Sequence, residues 1–339
     1  MKSSNIKSNW PLIGNGHIFE FLAKSLSNNN ISGSYIFTGP ANLGKATAAN
    51  FFAKSLVCDD VDGLRKPCGQ CSACEQAERG LHGDIYLIKR GEDKKNISVE
   101  QIRDFIRNLG MSSFLNSYKI GIIKGAESLS EGAVNALLKT LEEPKIKVVI
   151  ILTVTDLEAL PKTIVSRSQI LRFRAVASDI IHDELIKNHK ASRSQAKNFS
   201  RLSAGRPALA LKFMEDQEYY KSYKNYVESF TGLLDSDVNK RFLAIENILG
   251  KSARGQEAVK SAVDLIDVWL NLTRDLMLMG LNLTDLIQHE AFSKELEALK
   301  NKFSLKASFN LINVLKQSKE YLRANVNPKL ALENIAVSF

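Results

Sequence analysis

Between residues 34 and 173, short apolar runs alternate with stretches of helical periodicity, and this alternation restricts the fold more than any other feature of the chain. The runs Ser34–Thr38, Asp84–Lys89, Tyr118–Ile123, Lys147–Thr153 and Ile170–Phe173 are almost continuously apolar, as strands covered on both faces are. Helical spacing falls between them, at Lys45–Val57, Val99–Leu109 and Leu129–Glu143. The last of these places Val134, Leu137, Leu138 and Leu141 on one face, and Pro144 stops it. Strand and helix in alternation predict an α/β domain over 1–175, built on a mostly parallel five-stranded sheet with helices on both faces.

After Phe173 the strand signal ends. Ser178–His189, Arg193–Ser203 and a stretch opened by Pro207 read as three short helices, a small helical unit over 176–215. Residues 216–339 read as helical throughout. The clearest of these helices is expected to carry Val259, Ala262, Val263, Ile266, Leu270, Thr273 and Met277 on one face. A chain of 339 residues exceeds what one core normally serves, which agrees with several domains.

Bulk properties exclude some classes. The longest apolar run, Val148–Leu152, falls far short of the roughly 20 residues a membrane helix needs. Met1–Trp10 is polar and lacks the apolar stretch of a secretion signal, so a cytoplasmic protein without membrane contact is expected. The formal charge of +9 suits a nucleic-acid or polyphosphate partner, but the basic residues are dispersed and a solvated surface explains them equally.

Gly39-Pro-Ala-Asn-Leu-Gly44-Lys45 follows the first strand and opens the first of these helices, the setting a phosphate-binding loop requires. Its glycines let backbone N–H groups wrap a phosphate, the helix N-terminus adds positive dipole, and Lys45 reaches the outer phosphates. The magnesium-holding hydroxyl that should follow the lysine is absent, because residue 46 is alanine. Thr47 comes one residue late and should point elsewhere. An ATPase with this loop also needs carboxylates after its third strand. Lys124-Gly125 stand there, and Glu127 is a turn too late. The Mg²⁺ site is therefore degraded and hydrolysis is not expected. Lys124 is expected to pair with Glu127 or another nearby carboxylate, or to face an anion in the cradle.

All four cysteines lie in one segment: Cys58, then Cys68-x-x-Cys71-x-x-Cys74. Two close spacings and one distant thiol make a complete four-cysteine set, which closes a structural Zn²⁺ site and leaves no open catalytic position. Gly63, Pro67 and Gly69 mark a loop there. By itself Arg167, in Ser166-Arg167-Ser168, reads as a surface residue or ion-pair partner.

Taken together these residues resemble the clamp-loader branch of the AAA+ proteins, and within it the delta-prime class of bacterial DNA polymerase III subunits. Asn135-Ala-Leu-Leu-Lys-Thr-Leu-Glu-Glu-Pro144 matches a phrase typical of bacterial clamp-loader subunits. The cysteine spacing is shared with their gamma/tau and delta-prime members, and Ser166-Arg167-Ser168 resembles their Ser-Arg-Cys motif. Ala204-Gly205-Arg206-Pro207 stands where the lid helix begins, and Asn325–Glu333 resembles the closing helix of the collar. The gamma/tau motors differ at Ala46, Lys124 and Ala208, the last replacing a lid arginine.

The resemblance implies an AAA+ domain over 1–175 with a zinc module at 58–74, a lid over 176–215 and an oligomerising collar over 216–339. It implies a five-membered ring with gamma/tau and delta subunits, which places the beta sliding clamp on primer-template DNA. In that ring the chain would not hydrolyse ATP itself. Arg167 would act in trans as an arginine finger on a neighbouring ATP site, a contribution on the order of 10³–10⁵ in rate. Gly39, Gly44, Lys45 and Thr47 would form a degenerate nucleotide loop, with ATP binding left open. Two alternatives stay open: an active ATPase of gamma/tau type, and a stand-alone zinc-containing DNA-binding protein.

Overall fold

The computed structural model describes residues 10, 12–60, 66–91, 94–113, 117–143, 145–234, 237–249, 255–300 and 303–338. Pro144, Gly63 and the polar opening residues 1–9 lie outside them. Backbone contacts divide the chain into two compact units, residues 1–181 with 205–208, and 182–204 with 209–339.

The first unit begins with α1 (Gly16–Ser27), β1 (Ser34–Thr38), α2 (Lys45–Val57), α3 (Ser72–Glu78) and β2 (Ile85–Lys89). There follow α4 (Val99–Gly110), β3 (Lys119–Lys124), α5 (Glu131–Glu142), β4 (Val148–Val154), α6 (Lys162–Val165) and β5 (Gln169–Arg172). The strands form one five-stranded sheet in the order β2-β3-β4-β1-β5, with every pairing parallel. The five expected strands are present to within a residue at either end.

Alternate strand residues separate into two cores because successive side chains point to opposite faces. Tyr35, Phe37, Ile120, Ile122, Val149 and Ile151 pack under α1 and α2, together with Phe52. Ile36, Ile123, Ile150, Leu152 and Val154 pack under α4 and α5. The expectation of double coverage holds for β1, β3 and β4, but β2 and β5 are edge strands and partly exposed. Gly121 has a packing reason. A Cβ there would lie 2.2 Å from Phe105 Cζ, so the α4 aromatic rests on bare backbone.

In α5 it is Ala133, Leu137 and Leu141 that are buried, whereas Val134 and Leu138 are only half-buried. A stripe at i, i+4, i+8 faces the sheet, and the small Ala133 lets the helix approach it. α1, α3 and the one-turn α6 lie outside the helices expected from the sequence. α1 has no side-chain cap and begins after Asn15 in the left-handed region. Asn15 instead exchanges two hydrogen bonds with the Arg174 backbone, 3.1 and 2.8 Å.

Beyond β5 the chain is helical, beginning with α7 (Ser178–His189), which runs from the first unit into the second. α8 (Arg193–Leu202), α9 (Pro207–Glu215), α10 (Gln217–Leu234) and α11 (Val238–Leu249) follow. α12 (Gln256–Gly280), α13 (Ser293–Lys300), α14 (Leu305–Arg323) and α15 (Pro328–Val337) complete the chain. In the second unit α12 contacts α10, α11, α13, α14 and α15. Its buried residues include Ala258, Leu265, Val268, Trp269, Leu272 and Leu276 as well as Ala262, Ile266 and Thr273. Of the face expected for it, Val259, Val263, Leu270 and Met277 are only half-buried, so that face is corrected: a helix ringed by others buries residues on most sides. No helix among the described residues is long and apolar enough to cross a membrane.

Candidate functional site

The cradle grows from the end of β1. Gly39 has φ +136°, and a Cβ there would meet the Phe173 carbonyl oxygen at 2.4 Å. Gly44, at φ +86°, is the residue from which α2 starts. Both positions require glycine, for steric room in one case and left-handed backbone in both. Because the strands are parallel and their order reverses around β1, the loop lies at the carboxyl edge of the sheet where such folds bind ligands.

Lys45 is buried and turns back into the loop, where its ammonium donates to the carbonyls of Gly39 and Pro40. Burial lowers it from the ordinary lysine range to about 8, with the Glu127 carboxylate opposing the shift. Thr47 is exposed and Ala46 half-buried, so no hydroxyl occupies the position next to the lysine. Lys124 closes β3, with Thr153 of β4 as its register partner. The N–H of Gly125 donates to Thr153 Oγ1 at 3.2 Å. Glu127 forms no ion pair with Lys124. Its Oε1 accepts from the Thr155 hydroxyl at 2.9 Å and from the Thr155 N–H at 3.3 Å. The expected Lys124–Glu127 pair is corrected accordingly: two donors at the end of β4 already hold that carboxylate.

Arg167 follows α6 and precedes β5, at the amino edge of the sheet. Its Nη2 pairs with Glu142 Oε1 at 2.9 Å, and Nη1 donates to the Thr163 carbonyl at 3.0 Å and to Ser166 Oγ at 3.4 Å. Ser168 anchors the turn, with its hydroxyl 2.8 Å from that of Ser34 and 3.0 Å from the Ile164 carbonyl. Ser34 opens the five-residue β1 and the cradle begins just after its end, a span of roughly 16 Å. Arg167 and the cradle of the same chain thus face opposite ends of the sheet. Glu142 was not singled out from sequence. A carboxylate in the last turn of a helix, where the dipole favours cations, was the available signal.

The four cysteines meet at the start of α3. Their sulfur atoms all lie within 4.8 Å of one another, with Cys68 and Cys74 4.0 Å apart. A tetrahedron with Zn–S bonds of 2.3 Å has edges of about 3.8 Å, so a small contraction fits the set to zinc. All four are free thiols. Backbone N–H groups of Cys68, Cys71 and Cys74 point at Cys58, Cys68 and Cys71 sulfur, each at 3.4 Å, an arrangement that would stabilise thiolates. Burial pushes the Cys58 and Cys74 thiols up, whereas N–H donors from Gln70 and Cys71 lower Cys68 to about 7.

The family described as DNA polymerase III, delta subunit, matches residues 14–177. The DNA polymerase III subunit tau of Bacillus subtilis is 34% identical over 189 residues, 56% of this chain. The chain spans only 33% of that relative's length. Subunit delta' of the same organism is 24% identical over 321 residues, covering 94% of both chains. Subunit delta' of Haemophilus influenzae is 30% identical over 190 residues, 56% of this chain and 57% of its own.

Proposed function

We propose, from the match of residues 14–177 to the family described as DNA polymerase III, delta subunit, that this chain is a delta-prime-like member of a clamp-loading ring. In this reading it joins gamma/tau and delta subunits in the cytoplasm. It helps their ATPase place the beta clamp on primer-template DNA, touching DNA mainly through phosphates, and hydrolyses no ATP itself. The α/β part is the AAA+ domain over 1–175 with its zinc module at 58–74, residues 176–215 form the lid, and 216–339 form the collar.

The observation that carries the non-hydrolysing part is the pair of missing magnesium ligands. A methyl group stands at Ala46, and Lys124 ends β3 at the carboxyl edge with Gly125 following it. An ammonium cannot ligate Mg²⁺ or accept a proton from water. Lys45 remains able to meet a phosphate, but only by leaving the two loop carbonyls it now serves. Arg167 suits a partner's site better than its own, because it faces the opposite end of the sheet. A guanidinium is planar, permanently charged and able to grip two phosphate oxygens.

The four-cysteine cluster holds zinc as a structural ion. Its role is to cross-link Cys58, after α2, with the Cys68–Cys74 turn, and the chemistry it supplies is rigidity.

One observation favours an active ATPase: the Glu127 charge is felt at Lys45. Thr155 engages that carboxylate, however, and a single acidic group does not replace both lost ligands. Phosphate release by the purified chain, with ATP and Mg²⁺ and with clamp and primed DNA added, separates the readings. Background rates are expected. Turnover abolished by Lys45→Ala would establish the active ATPase instead. A stand-alone DNA binder would shift DNA tightly and salt-dependently without partners. Capture of gamma/tau and delta by the tagged chain, with weak binding to DNA alone, is the expected outcome.

A further inference from the structure

We infer that Glu142 is a positioning residue for Arg167: it parks the guanidinium in the free chain and yields it when a neighbouring phosphate comes within reach. This rests on the reading of Arg167 as a trans donor.

Three features lead there. Glu142 lies in the last turn of α5, where the helix dipole disfavours a carboxylate, so local preference does not explain it. Its Oε1 meets Arg167 Nη2 at 2.9 Å while Nη1 is engaged by Thr163 and Ser166, so the group is held from two sides. The pair is also open to solvent, with 36% of the arginine and 49% of the glutamate side chain exposed. Exposed pairs of this kind are weak. A phosphate of higher charge that accepts both arms of the guanidinium outcompetes one carboxylate oxygen.

The backbone beneath need not move. Ser168 is tied to Ser34 and to the Ile164 carbonyl, and the Arg167 N–H donates to the Ile164 carbonyl at 3.3 Å. Exchange is then a rotation of the arginine side chain about a fixed turn. Without the latch the guanidinium would be held only through Nη1, by Thr163 and Ser166. With it, release is coupled to the arrival of a competing anion.

The experiment uses Glu142→Gln, Glu142→Asp and Arg167→Ala in the full chain. In the free protein, phenylglyoxal labelling of Arg167, read by peptide mass, should rise about two- to five-fold in Glu142→Gln, the range expected for losing an exposed pair. Glu142→Asp should restore part of the protection. In the ring assembled with gamma/tau and delta, Glu142→Gln should lower the apparent KM for ATP by a similar factor. The kcat with clamp and DNA should stay unchanged, a split that a merely structural residue would not give. The double variant should behave as Arg167→Ala.

Unchanged labelling in Glu142→Gln overturns the latch. So does an unchanged KM in a ring where Arg167→Ala still lowers hydrolysis. Failure of the underlying trans reading looks different, as an Arg167→Ala ring that hydrolyses normally, and it removes the positioning role as well. Should Glu142→Gln assemble poorly, Glu142→Asp and the free-chain labelling decide.

Discussion

Lys45 is the residue at which burial and function pull hardest against each other. Its ammonium is enclosed by the loop it caps and is depressed to about 8. The unfolded chain therefore binds more protons than the fold between about pH 8 and the ordinary lysine value near 10.4. Stability contributed at this residue rises with pH through that window and is lowest below it. Compared with Lys45→Met, the wild type should gain stability as pH is raised from 8 to 10, at most about 1.4 kcal/mol per pH unit. Urea midpoints of both proteins at three pH values measure this, and a difference independent of pH would contradict it. Titration with ATP in a calorimeter bears on Lys124. If its ammonium faces the cradle, Lys124→Ala weakens binding; equal affinities would leave it a surface lysine. Ala46 and Lys124 were legible as departures because a phosphate loop leaves so few choices at those positions. The partners of Arg167 and Glu127 were not, since an ion pair between α5 and the turn after α6 depends on packing that spacing cannot encode.

Among the elements, the strands were readable because parallel strands buried on both faces must be apolar at nearly every position, as at Val148–Val154. Helices bound by packing were harder. α1 has few local signals, and α5 presents Ala133 to the core, a residue too small to register in an apolar count. Gly121 follows the same logic in reverse. Gly121→Ala should destabilise the protein by about 1–3 kcal/mol, because Phe105 must leave its place. A melting curve checks it, and an unchanged midpoint would show that α4 shifts freely. The cysteine module was legible from spacing alone, although α3, which carries Cys74, was not. Freshly purified protein should carry about one zinc. Removing it with a chelator should lower the melting temperature. Since Cys58 and Cys74 thiols are pushed up by burial, zinc must displace protons to bind, and affinity should fall as pH drops. Metal analysis finding well under half an equivalent would contradict the assignment.

At the scale of the whole molecule, the helical second unit depends on a buried polar network that the sequence gives no means of seeing. Asp275 and His289 are fully buried. Asp275 Oδ2 accepts from the backbone N–H groups of Gln288 and His289 and lies 2.7 Å from His289 Nδ1, while His289 Nε2 lies 2.6 Å from the Tyr223 hydroxyl. Asp275→Ala should cost about 3–5 kcal/mol by stranding these donors, a loss readable by urea unfolding. The two units serve one proposed end, in which a chain without its own hydrolysis completes a neighbour's site. The most direct measurement is steady-state ATP hydrolysis by the ring reconstituted with gamma/tau and delta, with clamp and primed DNA, comparing wild type with Arg167→Ala. The site facing Arg167 should lose on the order of 10³ in rate, so the total falls only by that site's share. Arg167→Lys should rescue poorly for want of the fork. Assembly should be normal and the melting curve of the free chain unchanged. A ring carrying Arg167→Ala that assembles fully and hydrolyses ATP at the wild-type rate would contradict the trans role outright.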